Sequence, residues 1–242
     1  MPTIWYEARI SRIEDMTPQV RRFFLQLPDG KPPAFEAGQF ITLDLPIGEK
    51  RLQRWRSYSI ASGPGDGPDL ELCIVRMEGG EGTRYLFEEV REGSTLRFKG
   101  PDGAFVLPPR LDDRDLVMVC TGTGVAPFRS MLRDLFARRQ PYRRAHLIFG
   151  ARTEADVLYR YEFEEYAAAY PNFKYDVALS RQPDWPGYRG HVHQIYLEHY
   201  AEKRPDVLFM LCGWSRMIDD AVANLVARLG YAPHQVKYEL YG

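Results

Sequence analysis

The stretch Arg56-Ser57-Tyr58-Ser59 sets a permanent cation, a flat phenol and two hydroxyls within four residues. On a strand, alternation puts Arg56 and Tyr58 on one side and Ser57 and Ser59 on the other. A guanidinium suits a phosphate, and an aromatic face suits a planar ring. The pattern therefore fits a ligand that is anionic at one end and flat at the other. The plainer reading is a surface strand whose arginine stems cover a barrel.

A second candidate is Thr121-Gly122-Thr123-Gly124, between an apolar run at 116–120 and the helical pattern that opens Val125-Ala126-Pro127. Its glycines permit a tight turn and close backbone approach. The helix start that follows offers unpaired N–H groups and a positive dipole end to an anion. Pro127 is tolerated in a first helical turn, where a missing N–H costs little. A tight strand-to-helix turn without a ligand is the alternative. Ser180-Arg181 ends another apolar run, with Arg189 shortly downstream; a guanidinium there can grip a phosphate with two parallel hydrogen bonds, or can simply be a solvated loop charge. Cys212-Gly213 ends a late apolar run, and a buried cysteine is by default a small hydrophobe.

The elements that must position these groups fall into two rhythms. Residues 1–108 read as short strands (3–14, 19–27, 39–45, 55–62, 70–77 and 95–101) separated by Gly- and Pro-rich turns, with one helical pattern at 83–92 whose stripe is Tyr85, Leu86 and Val90. That is the pattern of an antiparallel barrel or sandwich. The Pro- and Asp-rich joint at 107–115 is a plausible boundary. Residues 109–242 alternate strand runs with helical patterns at 125–139, 156–170 and 219–230, and a shorter one near 193–201. Such alternation implies a parallel sheet with helices on both faces, which binds ligands at the carboxyl ends of its strands.

Composition narrows the partners. The chain has 32 Lys and Arg against 33 Asp and Glu, so no nucleic acid or acidic membrane is drawn by overall charge. No run near twenty apolar residues suggests a membrane span, and no signal peptide is evident, so the expected location is the cytoplasm. Three well-separated cysteines make neither a disulfide framework nor a metal knuckle nor a four-cysteine cluster, and His191 and His193 have no companion ligands at metal spacing.

Taken together, these pieces resemble the ferredoxin–NADP reductase family of flavoproteins over nearly the whole chain. The resemblance implies a two-domain protein: an FAD-binding Greek-key β-barrel at 1–108 and an NADP-binding α/β domain at 109–242. It implies that Arg56 contacts the flavin phosphate, that Tyr58 stacks on the flavin ring, that Ser59 hydrogen-bonds near N5, and that Ser57 belongs to the same cofactor-binding stretch. Gly79-Gly80-Glu81-Gly82-Thr83 matches the turn that meets the FAD pyrophosphate. Thr83, where the family often has Ser, is expected as a hydroxyl N-cap. Ile74, Val75 and Arg76 resemble the strand lying along the flavin. Gly100-Pro101-Asp102-Gly103-Ala104-Phe105 resembles a structural turn at the barrel's end. Thr121, Gly122, Thr123 and Gly124 match the nucleotide loop, with Thr121 where Gly is common. Cys212 and Gly213 match the nicotinamide edge, with Trp214 where proline usually follows. Ser180, Arg181 and Arg189 resemble a clamp for the 2′-phosphate of NADP, although Asp184-Trp185-Pro186-Gly187 also resembles relatives that use NAD. Glu239 and Tyr241 match a glutamate that shapes the nicotinamide pocket and a near-terminal aromatic covering the flavin, and Gly242 extends one residue past the usual end.

The function so implied is hydride exchange between NADP(H) and FAD, then single-electron exchange with ferredoxin or flavodoxin, by a monomer. Ser59, Cys212, Glu239 and Tyr241 are the residues nearest the chemistry. Arg51, Arg54, Arg84 and Lys99 are candidates for docking an acidic carrier. A reductase component of an oxygenase or another multi-subunit complex is a second reading, and a flavin-binding subunit without turnover is a third.

Overall fold

The computed structural model describes residues 4–241, the Tyr241 side chain excepted. Its first half is built from strands β1 (Trp5–Thr17), β2 (Val20–Gln26) and β3 (Phe40–Asp44), a one-turn helix α1 (Arg51–Arg54), strands β4 (Trp55–Ser59) and β5 (Asp69–Val75), helix α2 (Glu81–Glu88) and strand β6 (Thr95–Asp102). The strands form one antiparallel sheet in the order β4-β3-β6-β1-β2-β5. Alternation drives the burial: Ala8 and Ile10 of β1 are buried while Glu7, Arg9 and Ser11 are exposed. Phe23, Leu25, Ile41, Leu43, Leu72 and Phe98 form the core. A single antiparallel bridge, Ile60 to Leu72, brings the two ends of the strand order together.

Helix α2 begins at Glu81, two residues before the expected start, and buries Leu86 and Phe87, with Val90 just beyond its end. Its N-cap is Gly80 and not Thr83, which sits inside the first turn. The Thr83 hydroxyl instead accepts the Met77 N–H at 3.0 Å and donates to the Gly80 carbonyl at 3.1 Å, closing the preceding turn.

The second half begins with β7 (Leu111–Thr121), a single 3₁₀ turn (Gly122–Gly124) and helix α3 (Val125–Ala137). It continues with β8 (Tyr142–Ala151), α4 (Arg160–Ala169), β9 (Phe173–Leu179), β10 (Tyr188–Arg189), α5 (His193–His199) and β11 (Val207–Trp214). Helix α6 (Ser215–Val222) is extended by wider turns over Ala223–Arg228, and β12 (Val236–Tyr241) ends the fold. These strands form a parallel sheet in the order β10-β9-β8-β7-β11-β12. The chain steps outward from β7 to β10 and then returns to β11, so the order reverses between β7 and β11, where open parallel sheets take ligands. On one face Val117, Val119, Phe209 and Leu211 pack with Ile195 and Tyr196 of α5 and Met217 and Ile218 of α6. On the other, Phe163 of α4 meets Tyr175 of β9 at 5.4 Å between ring centres.

The chain divides into two compact units, and the unit holding the barrel also takes in Ala126–Arg138, which the sequence reading assigns to the second domain. A buried polar set explains the grouping. Arg129 donates to the Ala61 carbonyl at 2.9 Å and to Glu71 Oε2 at 2.8 Å. Ser130 donates to the Ser62 carbonyl at 2.7 Å. Glu71 also receives Arg22 at 2.7 Å, and Arg133 pairs with Asp66. The apolar period of α3 shows that it is buried but not against which element.

In the other unit a buried network crosses β8, β9 and α5. His146 Nδ1 lies 2.9 Å from the Tyr200 hydroxyl, and its Nε2 lies 2.9 Å from Asp176 Oδ2. Burial lowers the His146 pKa, outweighing the Asp176 carboxylate that would raise it. The neutral ring satisfies both partners when Nε2–H donates to Asp176 and Nδ1 accepts from Tyr200. Among the described residues, no helix is long and apolar enough to cross a membrane.

Candidate flavin and nucleotide sites

Strand β4 pairs with β3 so that Tyr58 stands opposite Ile41 and Arg56 opposite Leu43. Both therefore take the core-facing side, as alternation requires, while Ser57 on the other side meets Thr42 at 3.0 Å between hydroxyls. Past the Ile60–Leu72 bridge, β4 and β5 share no ladder among the described residues, leaving an open seam in the barrel. Tyr58 and Arg56 lie along one lip of it. Ile74, Val75 and Arg76 lie along the other, with the Ile74 side chain turned into the core and Arg76 paired to Glu88.

The glycine turn closes the end of this seam. A Cβ placed on Gly82 would stand 3.0 Å from Arg56 Cγ and 3.1 Å from its Nε, so the arginine crosses the start of α2 where only glycine leaves room. Gly79 has φ of +71° and turns the chain into that start. The expected phosphate cation and the expected phosphate turn are thus brought into contact by the fold. Among the described residues Arg56 is held by carbonyls alone, donating to Trp55 O at 2.8 Å and Leu52 O at 3.3 Å, with no carboxylate neutralising it. Arg54, by contrast, ends α1 and donates to Asp44 at 2.9 Å.

Burial, partly offset by the Arg56 guanidinium, pushes the Tyr58 phenol up to about 12, so the ring stays neutral over the physiological range. Ser59 is buried at the end of the strand. The cradle that Gly82 leaves open, a cation without a carboxylate and a neutral aromatic lip together fit a flavin with its phosphates at the helix start.

In the second unit, the carboxyl ends of β7, β9, β10, β11 and β12 carry the remaining candidates. Gly124 packs under β11: a Cβ there would stand 2.4 Å from the Cys212 carbonyl oxygen and 2.7 Å from Gly213 Cα. Gly213 has φ of +145°, and Thr121 Oγ1 accepts the Trp214 N–H at 3.3 Å, which ties the two strand ends together. Gly122 has φ of +53°, and Thr123 is half-buried beside it. Register aligns Cys120, Cys212 and Glu239 in one row across β7, β11 and β12.

The Cys212 side chain is completely buried and Gly213 is buried with it, so the exposed residue of this strand end is Trp214. Gly242 and the Tyr241 side chain lie outside the described residues; the Tyr241 backbone pairs with Trp214. Trp214 stands out only as an odd residue after Cys-Gly in the sequence, and its placement beside Gly122 needs the fold.

At the ends of β8 and β9, the Ser180 N–H bonds the Ala151 carbonyl at 3.0 Å and the Arg181 N–H bonds the Arg152 carbonyl at 2.7 Å. The Arg181 guanidinium is exposed and has no hydrogen-bond or ion-pair partner among the described residues. Arg152 pairs with Asp156 at 3.0 Å, and Arg189 donates to the Trp185 carbonyl at 2.8 Å. Of the basic groups here, Arg181 thus has no partner among the described residues, and Arg189 is held by a carbonyl alone. Arg152 was not singled out by the sequence; only the β8–β9 register brings it beside Arg181.

Two family models match successive parts of the chain. Residues 7–107 match the oxidoreductase FAD-binding domain, and residues 118–223 match the oxidoreductase NAD-binding domain. The chain is 38% identical to ferredoxin–NADP reductase B of Sorangium cellulosum, over 98% of this chain and 97% of that protein. It is 32% identical to the phenol hydroxylase P5 protein of Acinetobacter pittii over 91% of this chain, spanning 61% of that protein's length. Among solved structures, a ferredoxin NADP+ reductase from Neisseria gonorrhoeae with bound FAD and NADP superposes with a TM-score of 0.82 at 26% identity, covering 98% of each chain. An Amycolatopsis cytochrome P450 reductase superposes with a TM-score of 0.86 at 31% identity, covering 99% of this chain and 70% of that one. The chain belongs to the ferredoxin–NADP reductase-like family of flavin oxidoreductases, enzymes that join an FAD-binding domain to an NAD-binding domain.

Proposed function

We propose that this enzyme is an NADPH-dependent reductase that passes electrons, through FAD, to a small carrier protein, ferredoxin or flavodoxin. The observation that carries the nucleotide half of this reading is the unpartnered Arg181 guanidinium beside Ser180, at the strand ends where a 2′-phosphate would be gripped. The similarity over almost its full length to a ferredoxin–NADP reductase supports the carrier half.

Bound FAD supplies the chemistry of taking two electrons as a hydride and giving them up singly. The chain's own residues bind and orient. Arg56 and the backbone of Gly80 and Gly82, with Thr83 bracing their turn, hold the FAD phosphates, with Ser57 flanking them. Tyr58 would stack on the ring, Ile74, Val75 and Arg76 would line its edge, and Ser59 would hydrogen-bond near N5. In the other unit Thr121, Gly122, Thr123 and Gly124 receive the pyrophosphate of NADPH, with Arg189 assisting Arg181 at the 2′-phosphate. Glu239 would shape the nicotinamide end, with the buried Cys212 and Gly213 setting the strand end beside it. Service to an oxygenase is the second reading, favoured by the similarity to a phenol hydroxylase component.

Stopped-flow reduction of the flavin with NADPH and NADH side by side tests the proposal. NADPH is expected to be the better substrate by at least tenfold in kcat/KM, about what one charge-assisted contact supplies. Equal or better reduction by NADH would overturn the NADP assignment. Steady-state transfer to purified ferredoxin, flavodoxin and an oxygenase component then separates the two acceptor readings.

A further inference from the structure

Trp214 is the exposed side chain at the carboxyl end of β11, with 53% of its surface open. An exposed indole alone needs no explanation, because single apolar residues are common on protein surfaces. Its placement does. A Cβ on Gly122 would find one atom within 4 Å, the Trp214 indole nitrogen at 3.9 Å. The indole therefore presents its N–H edge, the polar edge of the ring, to the turn at Gly122–Gly124. That placement is braced from both sides: Thr121 Oγ1 accepts the Trp214 backbone N–H, and Gly213 makes the turn into Trp214 with φ of +145°. Among the described residues the indole N–H has no acceptor. An indole nitrogen is a donor only, so it can satisfy itself only on water or on an acceptor brought by a ligand.

We propose that Trp214 Nε1–H is a direct hydrogen-bond donor to the pyrophosphate of the bound pyridine nucleotide, adding an indole contact to the backbone N–H groups and threonine hydroxyls of the loop. This rests on the reading of residues 121–124 as the nucleotide loop. It makes Trp214 a binding residue particular to this chain's Cys-Gly-Trp sequence. A neutral donor on a charged phosphate is among the stronger hydrogen bonds, and partial exposure reduces its effect.

Calorimetric titration of the FAD-loaded protein with NADP+, inorganic pyrophosphate and adenosine 2′-monophosphate tests this. Trp214→Phe keeps the aromatic surface and removes the donor; Trp214→His keeps a ring N–H. In Trp214→Phe the dissociation constants for NADP+ and pyrophosphate are expected to rise together by about 3- to 10-fold. Adenosine 2′-monophosphate, which reaches only the Arg181 end, is expected to bind unchanged, and Trp214→His is expected to recover part of the lost affinity. NADP+ and pyrophosphate binding by Trp214→Phe within twofold of the parent would overturn the proposal. So would an equal loss for adenosine 2′-monophosphate, because that marks general damage to the domain. Failure of the parent protein to bind NADP+ would instead strike the nucleotide-loop reading itself.

Discussion

Arg56 lies across Gly82. The side chain from β4 passes so close to the first turn of α2 that a Cβ on the glycine would stand 3.0 Å from Arg56 Cγ. Two segments separated by 25 residues of sequence therefore meet at the proposed phosphate cradle, and the contact between them is testable from either side.

Gly82→Ala is expected to raise the FAD dissociation constant several-fold by displacing Arg56. Arg56→Ala is expected to raise it about 10- to 100-fold by removing the cation. The alanine is better suited to a helix by about 1 kcal/mol, so the apoprotein melting temperature of Gly82→Ala should hold or rise while FAD retention falls. Fluorescence of flavin released on dilution reads the first quantity and calorimetry of the apoprotein the second. Unchanged retention in both variants would remove the cradle.

Arg181→Ala is expected to lower kcat/KM for NADPH by about tenfold or more and to leave that for NADH within about twofold. Its flavin content should be normal, since Arg181 belongs to the other unit. Parallel initial-rate measurements with the two nucleotides check this. An equal fall with both would show that Arg181 acts on the nucleotide without reading its 2′-phosphate.

Gly124→Ala would push a methyl to 2.4 Å from the Cys212 carbonyl oxygen, which is backbone and cannot swing aside. The β7–β11 edge must open, at a cost of about 1–3 kcal/mol. Denaturant unfolding of the variant should show that loss, together with weaker NADP+ binding. A variant as stable as the parent would mean the strand end yields freely.

Glu71 and Arg129 are 4% and 5% exposed and share a short ion pair, with Arg22 on the other side of the carboxylate. Glu71→Ala leaves Arg129 buried without its carboxylate and is expected to cost about 3–5 kcal/mol. Glu71→Gln keeps the hydrogen-bonding shape and should lose less. Urea unfolding of the two variants separates charge from packing.

Stability should also depend on pH through His146. Its folded pKa is depressed by burial, so the unfolded chain takes up the proton first. The contribution is complete above the ordinary histidine value of about 6.5 and is lost as pH falls from there through the folded value. Asp176 acts in a separate, lower window: burial raises its pKa, but hydrogen bonds from His146 and Lys174 outweigh that and hold it at about 2. Urea midpoints at pH 8 and pH 5.5 should differ in the parent, and the difference should shrink in His146→Gln. An unchanged difference would assign the slope to other groups.

The type of each main element was legible in the residues. Arg56 and Tyr58 are the residue types that suit an anionic, planar ligand, and alternation correctly puts them on one side of a strand. The change of period near residue 108 separates an antiparallel half from a parallel one, because hydrophobic spacing follows the geometry of each element directly. Short pieces such as α1 and β10 carry too few residues to show a period. Register and long-range packing are not local properties, and only the tertiary structure decided them. They laid Arg56 over Gly82 and made Gly80, rather than Thr83, the cap of α2. They grouped most of α3 with the barrel through the buried Arg129–Glu71 pair. They buried the Cys212 side chain and turned the Trp214 indole nitrogen toward Gly122. Residue type states what a group can do; which groups meet depends on contacts between segments far apart in sequence, whose pairing no local period encodes.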